Sequence, residues 1–111
     1  MDDANLEILK NVKKIIFACE AGMGSSAMGA GIVRKMLKEE DIKNILVTNC
    51  AIKDLPPNSE VVICQNIFRD LVVSKFPDAY VYTVEQFLIK TDYTNFISDL
   101  KKAKRETKND N

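Results

Sequence analysis

Short apolar runs alternate with amphipathic segments along this chain. The apolar runs are typical of parallel strands buried on both faces, and they predict strands at residues 15–18, 45–48, 61–64 and 79–84. The last run alternates more in polarity, which indicates an edge strand. Apolar positions at helical spacing predict helices at residues 25–39, 67–76 and from about residue 92 onward. Strands alternating with helices form βαβ units, so we predict an α/β fold, a four-stranded parallel sheet with helices on both faces.

The helical spacing also predicts which side chains face the sheet. Two glycines, Gly29 and Gly31, weaken the first helix by about 1 kcal/mol each relative to alanine, which is tolerable if this helix lies close against the sheet. The predicted inward residues are Met28, Ile32, Val33, Met36 and Leu37 on the first helix, Ile67, Leu71 and Val72 on the second, and Tyr93, Phe96, Ile97 and Leu100 on the last.

Length and charge indicate a single domain of ordinary composition. The 111 residues suffice for one modest core, which we place at residues 13–103. We interpret residues 1–12 as a short amphipathic helix or a loose lead-in, and residues 104–111 as a flexible polar tail. Sixteen basic residues balance sixteen acidic ones, so the charge indicates no nucleic-acid partner. No apolar run approaches the roughly 20 residues of a membrane helix, and the acidic start is unlike a signal peptide. We therefore expect a cytoplasmic protein.

The cysteines and the absence of histidine restrict the chemistry. The three cysteines, Cys19, Cys50 and Cys64, are widely spaced and odd in number, which argues against a disulfide framework and a zinc site. We expect neither a metal nor a cofactor, and we interpret Cys50 and Cys64 as core residues. Because the chain has no histidine, a Cys–His catalytic pair is excluded, and Cys19 needs another source of activation.

The segment from Cys19 to Ser26 joins the first predicted strand to the first predicted helix. Parallel sheets bind ligands at this carboxyl edge. The small residues of the loop allow successive backbone N–H groups to surround one anion, and a helix N-terminus adds roughly half a positive charge. Both effects favour the thiolate form of Cys19, which is the nucleophilic form. The candidate nucleophile is Cys19, and the candidate phosphate-binding loop is Glu20, Ala21, Gly22, Met23, Gly24, Ser25 and Ser26.

Three kinds of anion site compete for this loop. Residues 22–27 match the dinucleotide pattern G-x-G-x-x-A, but such a match alone is weak, and Thr48-Asn49 supplies no acid for a ribose. Low-molecular-weight tyrosine phosphatases and arsenate reductases use C-x5-R-S, and here Ser25 stands where the arginine would clamp a phosphoryl group. A phosphoryl group on Cys19 would then be held but not readily given to water. That behaviour suits a third function, a phosphoryl relay.

The run A-C-E-A-G-M-G-S-S-A-M-G-A-G closely resembles the active-site loop of the mannitol-type IIB domain of the bacterial phosphoenolpyruvate-dependent sugar phosphotransferase system. The resemblance continues in order through residues 47–49, 51–52, 55–57 and 87–88. It implies a three-layer, Rossmann-like or flavodoxin-like fold, similar to low-molecular-weight tyrosine phosphatase. It also implies a phosphotransferase in which Cys19 takes a phosphoryl group from a phosphohistidine on a IIA partner. Cys19 would pass that group to a sugar alcohol, by resemblance mannitol, bound by a IIC partner, at the inner face of the membrane.

Several residues near the loop keep alternative interpretations. Glu20 is unfavourable beside a phosphocysteine, so we expect it to face solvent or a partner. Met23 either packs inward or contacts a partner, and the sequence favours neither interpretation over the other. We interpret Arg34 and Lys35 as solvated charges rather than phosphate ligands, and we assign no role to Arg69. IIB-like domains also occur in transcriptional regulators, so a sensor domain is the alternative function, with a phosphatase or arsenate reductase as the other.

Overall fold

The fold is built on a four-stranded parallel sheet with the strand order β2-β1-β3-β4. It is taken from a computed structural model that describes residues 3–20 and 24–109. In chain order, the elements are α1 (Asp3–Asn11), β1 (Lys14–Cys19), α2 (Ser25–Glu39), β2 (Leu46–Ala51), β3 (Val61–Gln65), α3 (Arg69–Lys75), β4 (Tyr80–Val84) and α4 (Thr94–Asn109).

The predicted elements are present, with differences at some boundaries. Helix α2 begins and ends at the predicted residues, and β4 is the edge strand that its alternating polarity indicated. Strand β2 ends at residue 51 instead of 48, because every residue of the strand pairs with β1, from Lys14 opposite Leu46 to Cys19 opposite Ala51. The segment predicted as one helix at 67–76 consists of a 3₁₀ turn, Asn66–Phe68, followed by α3.

Helices cover both faces of the sheet, as predicted for a three-layer α/β fold. Alternate residues of β1 point to opposite faces, as in any pleated strand. Ile15, Phe17 and Cys19 belong to the larger core, which α1, α2 and α4 cover. Ile16 and Ala18 belong to the smaller core on the other face, which α3 and a 3₁₀ turn at Ile52–Asp54 cover. The run of apolar residues in β1 is continuous because the strand is buried on both faces.

Some residues predicted to face inward are exposed. Met28 is 60% exposed, because α2 instead turns Ser26, Gly29 and Val33 toward the sheet. On the short α3 and the turn before it, Ile67 is 82% exposed and Leu71 46% exposed, whereas Val72 is fully buried. Periodicity identifies apolar positions on a helix, but the phase of the buried stripe depends on which surface the helix meets. The inward residues predicted for the last helix and its first turn, Tyr93, Phe96, Ile97 and Leu100, are all buried.

The N-terminal segment forms a helix that packs against α4. Leu9 is fully buried and Val12 nearly so, both within the larger core. The ammonium group of Lys104 donates a hydrogen bond to the carbonyl oxygen of Lys10 at 2.9 Å, which ties the end of α1 to α4. Helix α4 continues to Asn109, and Ala103 is buried. The domain boundaries at residues 13 and 103 remain predictions. Among the described residues, no helix is both long and apolar enough to cross a membrane.

Candidate functional site

Cys19 is the last residue of β1, at the carboxyl edge of the sheet. Strand β1 has β2 as its neighbour on one side and β3 on the other. The chain passes from β1 to β2 and then crosses over β1 to β3, so the strand order reverses at β1. In open parallel sheets this crevice is where ligands bind. Cys19 is 7% exposed, so most of this residue is buried.

The first turn of α2 brings a hydroxyl group to the Cys19 thiol. The Cys19 Sγ–H donates a hydrogen bond to Ser26 Oγ at 3.1 Å, and Ser26 is fully buried. A thiolate can only accept hydrogen bonds, so on deprotonation of Cys19 the same contact would reverse, with the Ser26 O–H donating to sulfur. The contact can therefore hold either protonation state of the sulfur in one place.

The N-terminus of α2 lies at the same edge of the sheet. Gly24 precedes the helix with φ of 72°, a conformation that glycine adopts without strain, and its carbonyl oxygen accepts from the N–H groups of Ala27 and Met28. The first N–H groups of a helix have no carbonyl partner in that helix, and no acidic residue lies in the first turn of α2. These donors and the helix dipole favour an anion next to Cys19.

The predicted loop is described in part. Cys19 and Ser26 are in contact, whereas Glu20, Gly24 and Ser25 are exposed at the same edge. The exposure of Glu20 agrees with the expectation that its carboxylate faces solvent or a partner. Ala21, Gly22 and Met23 lie outside the described residues, so the anion nest and the two interpretations of Met23 remain predictions.

Cys50 and Cys64 differ in burial. Cys64 is fully buried as predicted, and burial raises its pKa to about 11, while Arg69 lowers it to a smaller extent. Cys50 is only half-buried and pairs with Ala18 on the strand beside the site. Its pKa is raised mainly by burial, then by Asp54 and Cys19. A raised thiol pKa leaves less thiolate, which argues against either residue as the nucleophile.

The two arginines considered from the sequence have partners. The Arg34 guanidinium donates to the carbonyl oxygen of Val47 from Nε at 3.1 Å and from Nη2 at 2.9 Å. Arg34 is exposed, as expected of a solvated charge on the helix face, and these bonds also tie its side chain to β2. Arg69 forms an ion pair with Asp70 at 3.6 Å. Within the described part of the chain, no group of His, Cys, Asp and Glu side chains is arranged to hold a metal ion.

Sequence reasoning missed two features of this site. It treated Ser25 and Ser26 alike, although only Ser26 contacts the thiol, and it did not place Cys50 beside the site. The helical spacing of Ser26 with Gly29 and Val33 is a signal that identifies Ser26 as inward-facing. The position of Cys50 had no such signal, since it depends on how far β2 continues beside β1.

Comparison with known proteins gives concordant matches. A family model described as "PTS system, Lactose/Cellobiose specific IIB subunit" matches residues 14–99. The chain is 44% identical over 106 residues to the "PTS system mannitol-specific EIICB component" of Staphylococcus carnosus, a match covering 91% of this chain and 20% of that protein. The protein of the same name from Staphylococcus haemolyticus is 41% identical over 101 residues, with the same coverage of 91% and 20%. The chain thus spans about a fifth of the length of these relatives.

Proposed function

Because the chain belongs to the IIB family of the sugar phosphotransferase system, we propose that it relays a phosphoryl group through Cys19 during uptake of a sugar alcohol. One observation carries the proposal. The Cys19 thiol lies at the carboxyl edge of the sheet, in hydrogen-bond contact with Ser26 at the N-terminus of α2. A sulfur nucleophile and an anion-binding helix end thus meet at one point.

The relay consists of two displacements at phosphorus. In the first, a lone pair of the Cys19 thiolate attacks the phosphorus of a phosphohistidine on the IIA partner. The S–P bond forms, the P–N bond breaks, and the electron pair stays on the imidazole. In the second, a hydroxyl oxygen of the sugar alcohol attacks the phosphorus and loses its proton to a base of the IIC component that binds the sugar alcohol. The S–P bond breaks, and the Cys19 thiolate is restored.

The surroundings of Cys19 support holding the phosphoryl group more than hydrolysing it. Phosphoryl transfer depends on positioning and on stabilisation of charge, which the Ser26 hydroxyl and the first N–H groups of α2 can supply. A phosphatase of this loop type would need an arginine on the phosphoryl oxygens. The Arg34 guanidinium instead bonds to Val47 of β2, and Ser25 stands at the sequence position of that arginine. Both features favour the relay over the phosphatase.

The substrate and partners follow from the relatives. The family model is named for lactose and cellobiose, whereas relatives 44% and 41% identical over this segment are named for mannitol. We give more weight to the mannitol-specific relatives, because these matches include more of the chain than residues 14–99. We therefore propose mannitol or a similar sugar alcohol as the acceptor, a IIA protein as the donor, and a IIC component as the membrane partner. The domain would work at the cytoplasmic face of the membrane.

Phosphorylation from purified components tests the relay. The protein is incubated with phosphoenolpyruvate, the two general phosphotransferase proteins and a mannitol-type IIA, and the phosphate is located by mass spectrometry. We expect the label on Cys19, its loss in Cys19→Ser, and its retention in Cys50→Ser. Vesicles carrying a IIC component should discharge the label when mannitol is added. A label that IIC and mannitol fail to discharge would instead favour a sensor domain, and hydrolysis of an aryl phosphate by the chain alone would favour a phosphatase.

A further inference from the structure

Helix α2 packs tightly against the core at Gly29. A Cβ atom at this position would lie 2.8 Å from Cε2 of Phe17, 2.9 Å from the hydroxyl oxygen of Tyr93 and 3.0 Å from Cβ of Phe87. Real Cβ atoms essentially never show contacts below 3.0 Å, so a larger residue here forces something to move. Gly31, two residues later on the same helix, has nothing within 4 Å of such an atom. Of these two glycines within α2, only Gly29 is required by its surroundings.

The three residues around Gly29 form a rigid wall. The Phe17 ring packs against the rings of Phe87 and Tyr93, with centroids 5.6 Å and 5.8 Å away. The Tyr93 hydroxyl donates a hydrogen bond to the carbonyl oxygen of Phe87 at 2.6 Å. All three side chains are essentially fully buried. Close-packed side chains of this kind have little room to yield.

This wall lies next to the contact between Cys19 and Ser26. Phe17 is two residues before Cys19 on β1 and belongs to the same core, so both side chains point to the same face. Gly29 is three residues after Ser26, one turn along the same buried face of α2. The separation of helix and strand at Gly29 therefore constrains their separation at the reactive thiol.

We propose that Gly29 and Tyr93 are positioning residues that set the 3.1 Å separation between Cys19 Sγ and Ser26 Oγ. Because Gly29 carries a hydrogen atom in place of a Cβ, α2 packs close to β1, and the bonded Tyr93 hydroxyl limits how close it packs. The inference rests on the proposed relay for its effect on phosphoryl transfer. Its effect on the thiol itself does not depend on that function.

The displacement in Gly29→Ala follows from the distances. Restoring an ordinary contact of 3.4 Å from 2.8 Å at Phe17 requires a movement of 0.6 Å. If α2 moves as a unit, directly away from β1, the thiol–hydroxyl separation increases from 3.1 Å to roughly 3.7 Å, and the hydrogen bond to sulfur weakens. The Ser26 hydroxyl then stabilises the Cys19 thiolate less, and it also stabilises less the negative charge of a phosphoryl group on Cys19.

The experiment compares Gly29→Ala with Gly31→Ala, which make the same chemical change on the same helix. Alkylation of Cys19 by iodoacetamide is followed against pH, with the modified cysteine identified by mass spectrometry. We expect the midpoint of the rate profile to move to higher pH in Gly29→Ala and to stay unchanged in Gly31→Ala. Phosphorylation by phospho-IIA should show a kcat lower by about tenfold in Gly29→Ala with an unchanged KM, because the docking surface is not altered.

A rescue variant separates crowding from general damage. Adding Tyr93→Phe to Gly29→Ala removes one of the three close atoms and should recover part of the alkylation profile. If Gly29→Ala does not fold, Tyr93→Phe alone serves, because it removes the hydroxyl that limits the approach of α2 and should move the alkylation midpoint in the opposite direction, to lower pH. An unchanged Cys19 profile in whichever variant folds would overturn the proposal. So would equal shifts in Gly29→Ala and Gly31→Ala. A shift confined to Gly29→Ala, with no phosphorylation even in the wild-type protein, would support the positioning role while refuting the relay.

Discussion

Shortening the Leu9 side chain to alanine tests whether α1 belongs to the domain. The sequence predicts a domain beginning at residue 13, and the family model begins at residue 14, yet the Leu9 side chain is fully buried in the larger core. Replacing a buried leucine with alanine costs about 2–5 kcal/mol, depending on how far the site collapses. Because α1 packs mainly against α4 and can shift toward it to fill part of the space, we expect a loss of about 2–3 kcal/mol for Leu9→Ala.

Urea unfolding followed by circular dichroism measures this loss. For a domain of this size the change corresponds to a midpoint lower by about 1–2 M, with an unchanged slope. The matched control is Leu71→Ala, the same substitution on another helix, where the leucine is 46% exposed and a loss below about 1 kcal/mol is expected. Equal losses in the two variants would show that α1 is a detachable lead-in and that the packing argument is wrong.

Three further predictions concern single side chains. Ser26→Ala removes the hydroxyl bonded to the reactive thiol and should slow phosphoryl acceptance roughly 10- to 100-fold in a phosphorylation assay, since a hydrogen bond to a charged group is worth about 1.5–3 kcal/mol. Arg34→Ala removes two bonds to Val47 and should lower the free energy of unfolding by about 1–2 kcal/mol in urea titration, whereas Lys35→Ala, an exposed neighbour, should change little. The buried Cys64 thiol keeps its proton up to a pKa of about 11, while the unfolded chain loses it near 9.0, so the folded state binds more protons in between and its stability falls as pH rises through this window. Calorimetry should show a smaller fall for Cys64→Ala.

The local pattern of the chain determined most of the architecture. Helix α2 begins and ends where its glycine-rich start and apolar spacing predict, and the continuous apolar run before Cys19 is a strand buried on both faces. These signals are readable because burial on both faces of β1 requires uninterrupted apolar residues, and burial on one face of a helix requires helical spacing. The position of Cys19 at the carboxyl edge follows directly from them.

The tertiary structure decided which of two similar, neighbouring residues faces the core. Ser25 and Ser26 are adjacent and chemically identical, but only Ser26 lies on the face of α2 that meets β1. Likewise Gly29 is required by the ring of Phe17 and the hydroxyl of Tyr93, whereas Gly31 faces open space. Such choices depend on residues far away in the chain, which a local pattern does not contain.

The sequence by itself therefore determined the order of strands and helices along the chain and the place of Cys19 at the carboxyl edge of the sheet. Only the tertiary structure decided the phase of each buried face, which left Met28 exposed, and the extent of β2, which placed Cys50 beside the site. The physical reason is the range of the interactions. Periodicity and chain order are local properties, whereas the phase of a helix and the length of a strand are set by the surface that each element meets after folding.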